Sequence, residues 1–336
     1  MTSGGFSFGV PVADAAVSSI LRPSAFEPSV FSVGTLDKKP KKKEDCDVTQ
    51  GTSLMKLSTP WREVEWTEDA REGLVRRLCS YAPCCRDVAQ ARVLLLGPVG
   101  SGKSSFISSV QSVLDGRVTN RAMVGGGACS FTHQLQSFPL RGSESCAVEL
   151  WDSMGFGDLS GPSLHHLLGV VRGHAPHGYK FQAEQALSSD TEGFIKRPGL
   201  QQQMHCVAFV LDASKVFITS YSKGTISLLQ QLRHHISHLG VHQVVLLTHV
   251  DKICKETESD TSEVYNSKVI RETMLKAAEL VGLSPSSVVP VRNYWCELEL
   301  DLATDVLLLR AMDLLLQYTH LYYRGQQRDT HKDQLD

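Results

Sequence analysis

The sequence predicts an α/β domain of three layers, with helices on both faces of a mostly parallel sheet and one antiparallel edge strand. Three observations predict it. Short apolar runs recur along the chain: ARVLLL (91–96), CAVELW (146–151), HCVAFVL (205–211), QVVLLT (243–248) and SVVPV (287–291). Near-continuous runs of this length suit strands covered on both faces. Stretches of helical apolar spacing lie between the runs, and strands alternating with helices imply a parallel sheet. A glycine-rich turn, GPVGSGKS, follows the first run and opens the first of these helices.

Residues 1–58 read as a disordered tail. Gly, Ser and Pro are scattered there without a period, and five lysines occupy six positions from Lys38 to Lys43. Such a run stays solvated and suits a charged linker; an import signal or an anionic-lipid contact is the sharper reading. Order begins at STPWREVEW, where Thr59 suits a cap, Pro60 a first helical position, and Trp61 and Trp66 supply apolar bulk. Leu74, Val75 and Leu78 give residues 68–81 a helical stripe. FTHQLQSFPL (131–140) alternates more openly and suits the edge strand. Helical patterns cover 104–114, 223–239, 265–281 and 301–323. Asp305, Arg310 and Asp313 keep the last of these from being a membrane span. The polar residues 324–336 read as a flexible C-terminal tail, which leaves 59–323 as the folded domain.

Composition narrows the function classes. The 336 residues are 42% hydrophobic and carry a net charge of −2, with no global bias toward nucleic acid or membrane. Nine cysteines, an odd number with no CxxC pair, argue for reduced thiols rather than a disulfide scaffold. No secretory leader pattern and no apolar run of ~18 residues is present. A soluble cytoplasmic protein is the expectation.

The turn GPVGSGKS fits G-x-x-x-x-G-K-[ST] between a strand and a helix, which is the context that motif requires. Gly97, Gly100 and Gly102, with Ser101 between the last two, can turn several backbone N–H groups inward as an anion nest at a helix N-terminus. Lys103 can reach β- and γ-phosphates, Ser104 can ligate Mg²⁺, and Ser105 is placed for the α-phosphate. The fold expected is that of a P-loop NTPase. After the strand CAVELW comes DSMG (152–155): Asp152 can hold Mg²⁺ through water, and the Gly155 N–H can bond a γ-phosphate. Lys103, Asp152 and Gly155 are thus the candidate catalytic groups. Ser153 stands where an ATPase would place a glutamate.

The strand QVVLLT ends in THVD (248–251), the place and shape of the guanine motif [NT]-K-x-D with histidine for lysine. The Asp251 carboxylate can accept from guanine N1–H and its 2-amino group, a donor pair adenine does not offer. Thr248 ends the strand, and His249 can stack on the base. Asn293, in VRNY (291–294), is the candidate for the loop that closes over the base. Bound GTP or GDP with Mg²⁺ is the cofactor expectation.

These motifs, with their flanks, resemble one family: the interferon-induced protein 44 and 44-like proteins. The blocks that carry the resemblance are PWREVEW, AQARVLLLGPVGSGKSSF, SVLDGRVTNRAMVG, DSMGF, HCVAFVLDAS and LLTHVD, and the likeness runs from about residue 58 to about residue 318. The resemblance implies an interferon-inducible cytosolic protein with a GTPase-like domain and an antiviral or immune role. Longer members carry an N-terminal TLDc domain; with 58 residues ahead of the likeness, that domain is not expected in this sequence. Protein effectors and self-association stay open.

Two departures bear on mechanism. A regulatory GTPase uses a first-switch threonine on Mg²⁺; in residues 124–134 the family's hydroxyl positions hold Ala128 and Cys129, leaving Ser130 and Thr132 as candidates. Phe156 follows Gly155, so no glutamine stands ready to orient water, and slow hydrolysis is expected. A scaffold that keeps the fold without turnover, and a P-loop ATPase, are the rivals. His234 and His238 share a helix face at i, i+4 but lack a third ligand in sequence, and read as solvated. Residues 158–204 form a long connection whose QALSSDTEGFIKRPG stretch is expected to be flexible.

Overall fold

The computed structural model describes residues 56–119, 132–142, 145–157, 161–181 and 187–332. The lysine run 38–43, residues 124–131 with Ala128, Cys129 and Ser130, and residues 182–186 lie outside them.

Six strands form one sheet in the order β2-β3-β1-β4-β5-β6. They are β1 (Ala91–Leu96), β2 (Gln136–Arg141), β3 (Ser145–Asp152), β4 (Cys206–Asp212), β5 (His242–Thr248) and β6 (Val288–Pro290). All pairs are parallel except β2 with β3, so the openly alternating run becomes the antiparallel edge, as its pattern predicts. Side chains alternate strictly between the two faces. Leu94, Leu96, Phe209, Leu211, Val245 and Leu247 enter one core; Val93, Leu95, Ala208, Val210, Val244 and Leu246 enter the other. Because both faces are covered, neither set can be polar, which is why the runs look continuous.

Helices α1 (Glu68–Cys79) and α2 (Lys103–Asp115) share one face with the long C-terminal helix. On the other face lie α3 (Leu164–Val171), α5 (Lys223–His238) and α7 (Lys268–Val281), with the short α4 (Ala213–Phe217) and α6 (Lys255–Ser259) between them in sequence. The C-terminal helix, α8, spans Leu302–Lys332 and runs past residue 323 into the stretch the sequence gives to a polar tail. Tyr322 and Tyr323 are buried in the opposite core, and Gln327 Nε2 donates to the Cys84 carbonyl at 3.2 Å, so the helix is still held there.

Two local expectations are corrected. Thr59 and Pro60 start no helix: residues 57–66 are a strap, with Leu57 N–H donating to Asn266 O at 2.7 Å and Trp61 N–H to Tyr265 O at 3.1 Å. Trp61 and Trp66 pack on the Tyr265 ring, and the cap of α1 is Thr67, whose hydroxyl accepts from Ala70 N–H at 3.2 Å. Tertiary stacking of two tryptophans outweighs a local cap signal. The described end of the long connection is also pinned. His174 stacks on Phe194 with ring centroids 5.2 Å apart and exchanges bonds with Ile195, and Leu187 is buried under α3.

Candidate functional site

Strand β1 delivers the chain into the glycine turn at the carboxyl edge of the sheet, where α/β folds collect ligands. Gly97 is packed so closely that a Cβ would collide with the Val210 carbonyl oxygen of the neighbouring strand. Gly102 caps α2 with φ +88°, and a Cβ there would sit 2.9 Å from Asn293 Nδ2. Side chains are excluded at both places, so bare peptide groups line the turn.

Lys103 is the first residue of α2 and is buried inside the turn rather than directed to solvent. Its ammonium donates to Gly97 O at 3.0 Å and Pro98 O at 3.1 Å. Burial pushes its pKa down to about 8, against the opposing pull of the Asp152 charge. One residue on, Ser104 Oγ donates to Asp152 Oδ2 at 2.5 Å, and Thr132 Oγ1 donates to the same oxygen at 3.2 Å. The two hydroxyls are 3.5 Å apart. Asp152 is buried, its pKa raised by desolvation and drawn back by Lys103, Ser104 and Thr132. Its second oxygen, Oδ1, is buried with no hydrogen-bond partner. Three converging hard oxygen donors beside a lysine are a donor set that fits Mg²⁺, and Ser104, Thr132 and Asp152 would hold it. Of the two first-switch candidates, Thr132 is placed at the Asp152 carboxylate; Ser130 lies outside the described residues.

The DSMG segment and Phe156 are clasped to the turn. Val99 N–H donates to Phe156 O at 3.1 Å and Phe156 N–H to Gly97 O at 3.4 Å, while Gly155 lies so close to Val99 that a Cβ would meet its Cα at 2.9 Å. The Phe156 ring is buried in the core, so its position offers no polar group to water. Ser153, where an ATPase glutamate would stand, donates to Leu95 O at 2.7 Å and is structural. Ser105 heads a turn of α2 in which its carbonyl accepts from Ser109 Oγ at 2.7 Å.

Residues of THVD and VRNY meet the same turn. Thr248, at the end of β5, donates from Oγ1 to Ser101 O at 2.6 Å and to Leu211 O at 3.0 Å as alternatives, tying the THVD turn to the glycine turn. His249 holds φ 56°, an uncommon conformation for a residue with a side chain, and its ring lies beside Gly102. Burial lowers the His249 pKa, against the opposing pull of the Asp212 charge. Asp251 is half-buried in the 3₁₀ turn Val250–Ile253. Asn293 Nδ2 donates to Gly102 O at 3.1 Å, leaving its Oδ1 buried and without a partner. The structure therefore brings Thr248, His249 and Asn293 against residues 101–102.

Sequence reasoning missed the support behind Asn293. Tyr294 N–H donates to Ser109 Oγ at 2.9 Å, and its hydroxyl donates to Asp305 Oδ1 at 2.7 Å while accepting from Asp301 N–H at 2.7 Å. Arg71 Nε donates to the other Asp305 oxygen at 2.7 Å. It also missed Asp212, which caps α4 by accepting from Ser214 N–H at 2.9 Å and lies 3.5 Å from His249 Nδ1. The cap pattern D-x-S at 212–214 was the available signal. His234 and His238 are exposed and 3.1 Å apart through their Nε2 atoms; among the described residues no group of three His, Cys, Asp or Glu forms a metal cage.

No protein-family model matches the chain. Solved structures similar to it include a probable GTP-binding protein engB (14% identity, TM-score 0.38, covering 68% of this chain and 98% of that one). Toc33 from Arabidopsis thaliana, solved with GDP and Mg²⁺, is 14% identical with a TM-score of 0.41, over 76% of this chain and 96% of that one. Overlaps at that level carry no argument, and the fold class rests on the strand order and the turn geometry. Among curated proteins, human interferon-induced protein 44 is 32% identical over 259 residues, 76% of this chain and 58% of that protein. The mouse protein of that name is 30% identical over 246 residues, and human interferon-induced protein 44-like is 28% identical over 278. The chain thus spans less than two thirds of the length of these relatives. Over that span the chain is a homologue of the interferon-induced protein 44 and 44-like proteins.

Proposed function

We propose that this chain is a guanine-nucleotide-binding protein that takes GTP or GDP with Mg²⁺, hydrolyses GTP slowly, and acts in the cytoplasm in an interferon-induced immune or antiviral response. The observation that carries the reading is the placement of Lys103 and of the Ser104–Thr132–Asp152 oxygens at one glycine turn. In this reading the backbone N–H groups of Gly100 to Ser105 and the Lys103 ammonium bind the phosphates. Mg²⁺ held by the three oxygens would neutralise charge that develops there. The His249 ring stacks on the base, Asp251 accepts from its N1–H and 2-amino group, and Asn293 Oδ1 waits for a donor. The role in immunity follows the names of the relatives.

The absence of a polar group at Phe156 favours slow turnover and keeps a second reading in view, a nucleotide-stabilised scaffold. Base identity is tested by Asp251→Asn, which replaces an acceptor with a donor on one edge. Binding should pass from GTP to xanthosine triphosphate, whose C2 position carries a carbonyl. Unchanged GTP affinity in that variant would remove Asp251 from the base site.

A further inference from the structure

Two thiols distant in sequence meet on the far side of the sheet from α3. Cys79 closes α1 and Cys146 is the second residue of β3, and their Sγ atoms are 3.3 Å apart. Cys146 is buried in the core that α1 covers through Leu74 and Leu78, whereas Cys79 is half-exposed at its rim. The other described cysteines are differently placed. Cys254 donates to Glu256 Oε2 at 3.2 Å, Cys206 is fully buried on β4, and Cys296 is exposed. Cys84 and Cys85 are sequence neighbours, whose bridging would close a small strained ring.

We propose that Cys79 and Cys146 are an oxidant-sensitive pair that forms a disulfide tethering α1 to the sheet. The sulfurs need to approach from 3.3 Å to ~2.05 Å, a shift of roughly 1.2 Å. Cys79, the last residue of its helix, is where the backbone gives most easily. The accessibility of the two thiols sets the order of steps. The Cys79 thiolate attacks a hydroperoxide: an S–O bond forms, the O–O bond breaks, and hydroxide (or alkoxide) leaves. Cys146 then attacks the sulfenic sulfur; the S–S bond forms, the S–O bond breaks, and water leaves with the Cys146 proton. Two thiols are oxidised and one peroxide is reduced. The ring so closed contains β1, the glycine turn and α2, so the tether restricts the unfolded chain across the phosphate site. The step does not depend on the nucleotide reading.

The test treats the full-length, fully reduced protein with hydrogen peroxide, blocks remaining thiols by alkylation, and maps the digest without reduction. A Cys79–Cys146 linked peptide is expected, lighter than its two parts by two hydrogens and lost on dithiothreitol. The midpoint of thermal unfolding should rise in the bridged protein and return on reduction. Cys79→Ser, at a half-exposed position, should abolish both the linked peptide and the shift. Three outcomes overturn the proposal. Cys79 could pass to sulfinic acid while Cys146 stays a thiol, bridges could form only among Cys84, Cys85 and Cys296, or the bridged protein could melt at an unchanged temperature.

Discussion

Lys103 holds a charge that its surroundings oppose. Its ammonium is buried and bonded only to carbonyls, and its pKa falls from 10.5 to about 8. Between those values the unfolded chain keeps a proton that the folded chain has released, so folding stability rises with pH across that window. Phosphate binding has the opposite preference, because it needs the ammonium. Nucleotide affinity should therefore be flat below pH 8 and fall about tenfold per unit above it, with proton uptake on binding measurable as a buffer-dependent heat. Lys103→Ala should remove nucleotide binding and that pH dependence while leaving the circular-dichroism spectrum intact. At this scale the sequence was most readable. A lysine, a serine and an aspartate with such neighbours have few other arrangements, and the structure places all three at one turn.

At the scale of elements, the loop that carries Asn293 is held by partners far away in sequence. Tyr294, Asp305 and Arg71 belong to a loop, to α8 and to α1, and no local pattern joins them. Asp305→Ala should cost about 2 kcal/mol in urea unfolding, since it removes a charge-assisted hydrogen bond from Arg71 and one from Tyr294, which keep Glu68 and Asp301 as partners. Tyr294→Phe should cost about 1 kcal/mol. Both should speed nucleotide release if this loop closes the base site, which stopped-flow displacement would read. The same limit explains Thr59. Its cap signal was local and was overridden by Trp61 and Trp66 stacking on Tyr265, a contact that only the assembled chain creates. The strands were legible to within a few residues because burial on two faces leaves each only apolar choices.

Over the whole molecule, two cores on either side of one sheet leave little room for charge, and His205 shows the consequence. It accepts from Arg92 N–H at 2.9 Å through Nδ1 and faces Leu200 O at 2.9 Å through Nε2, and burial takes its pKa down to about 4. From pH 6.5 down to 4 the unfolded chain binds a proton that the folded chain refuses, so stability falls as pH falls through that range. The loss attributable to this group is about 3 kcal/mol, and His205→Asn should flatten that part of a stability-against-pH curve from chemical denaturation. The strand order β2-β3-β1-β4-β5-β6 is fixed by the packing of the whole sheet; the layers and the antiparallel edge strand followed from the alternation of apolar runs and helices. The length of α8 did not, because Tyr322, Tyr323 and Gln327 are held by contacts to distant segments rather than by their own periodicity.

Titration calorimetry of the purified protein with GTP, GDP and ATP, each with Mg²⁺, tests the central reading most directly. Binding of GTP and GDP well above ATP, absent in Lys103→Ala, is the predicted result. Equal or tighter binding of ATP, or the same heats from the Lys103→Ala protein, would contradict it.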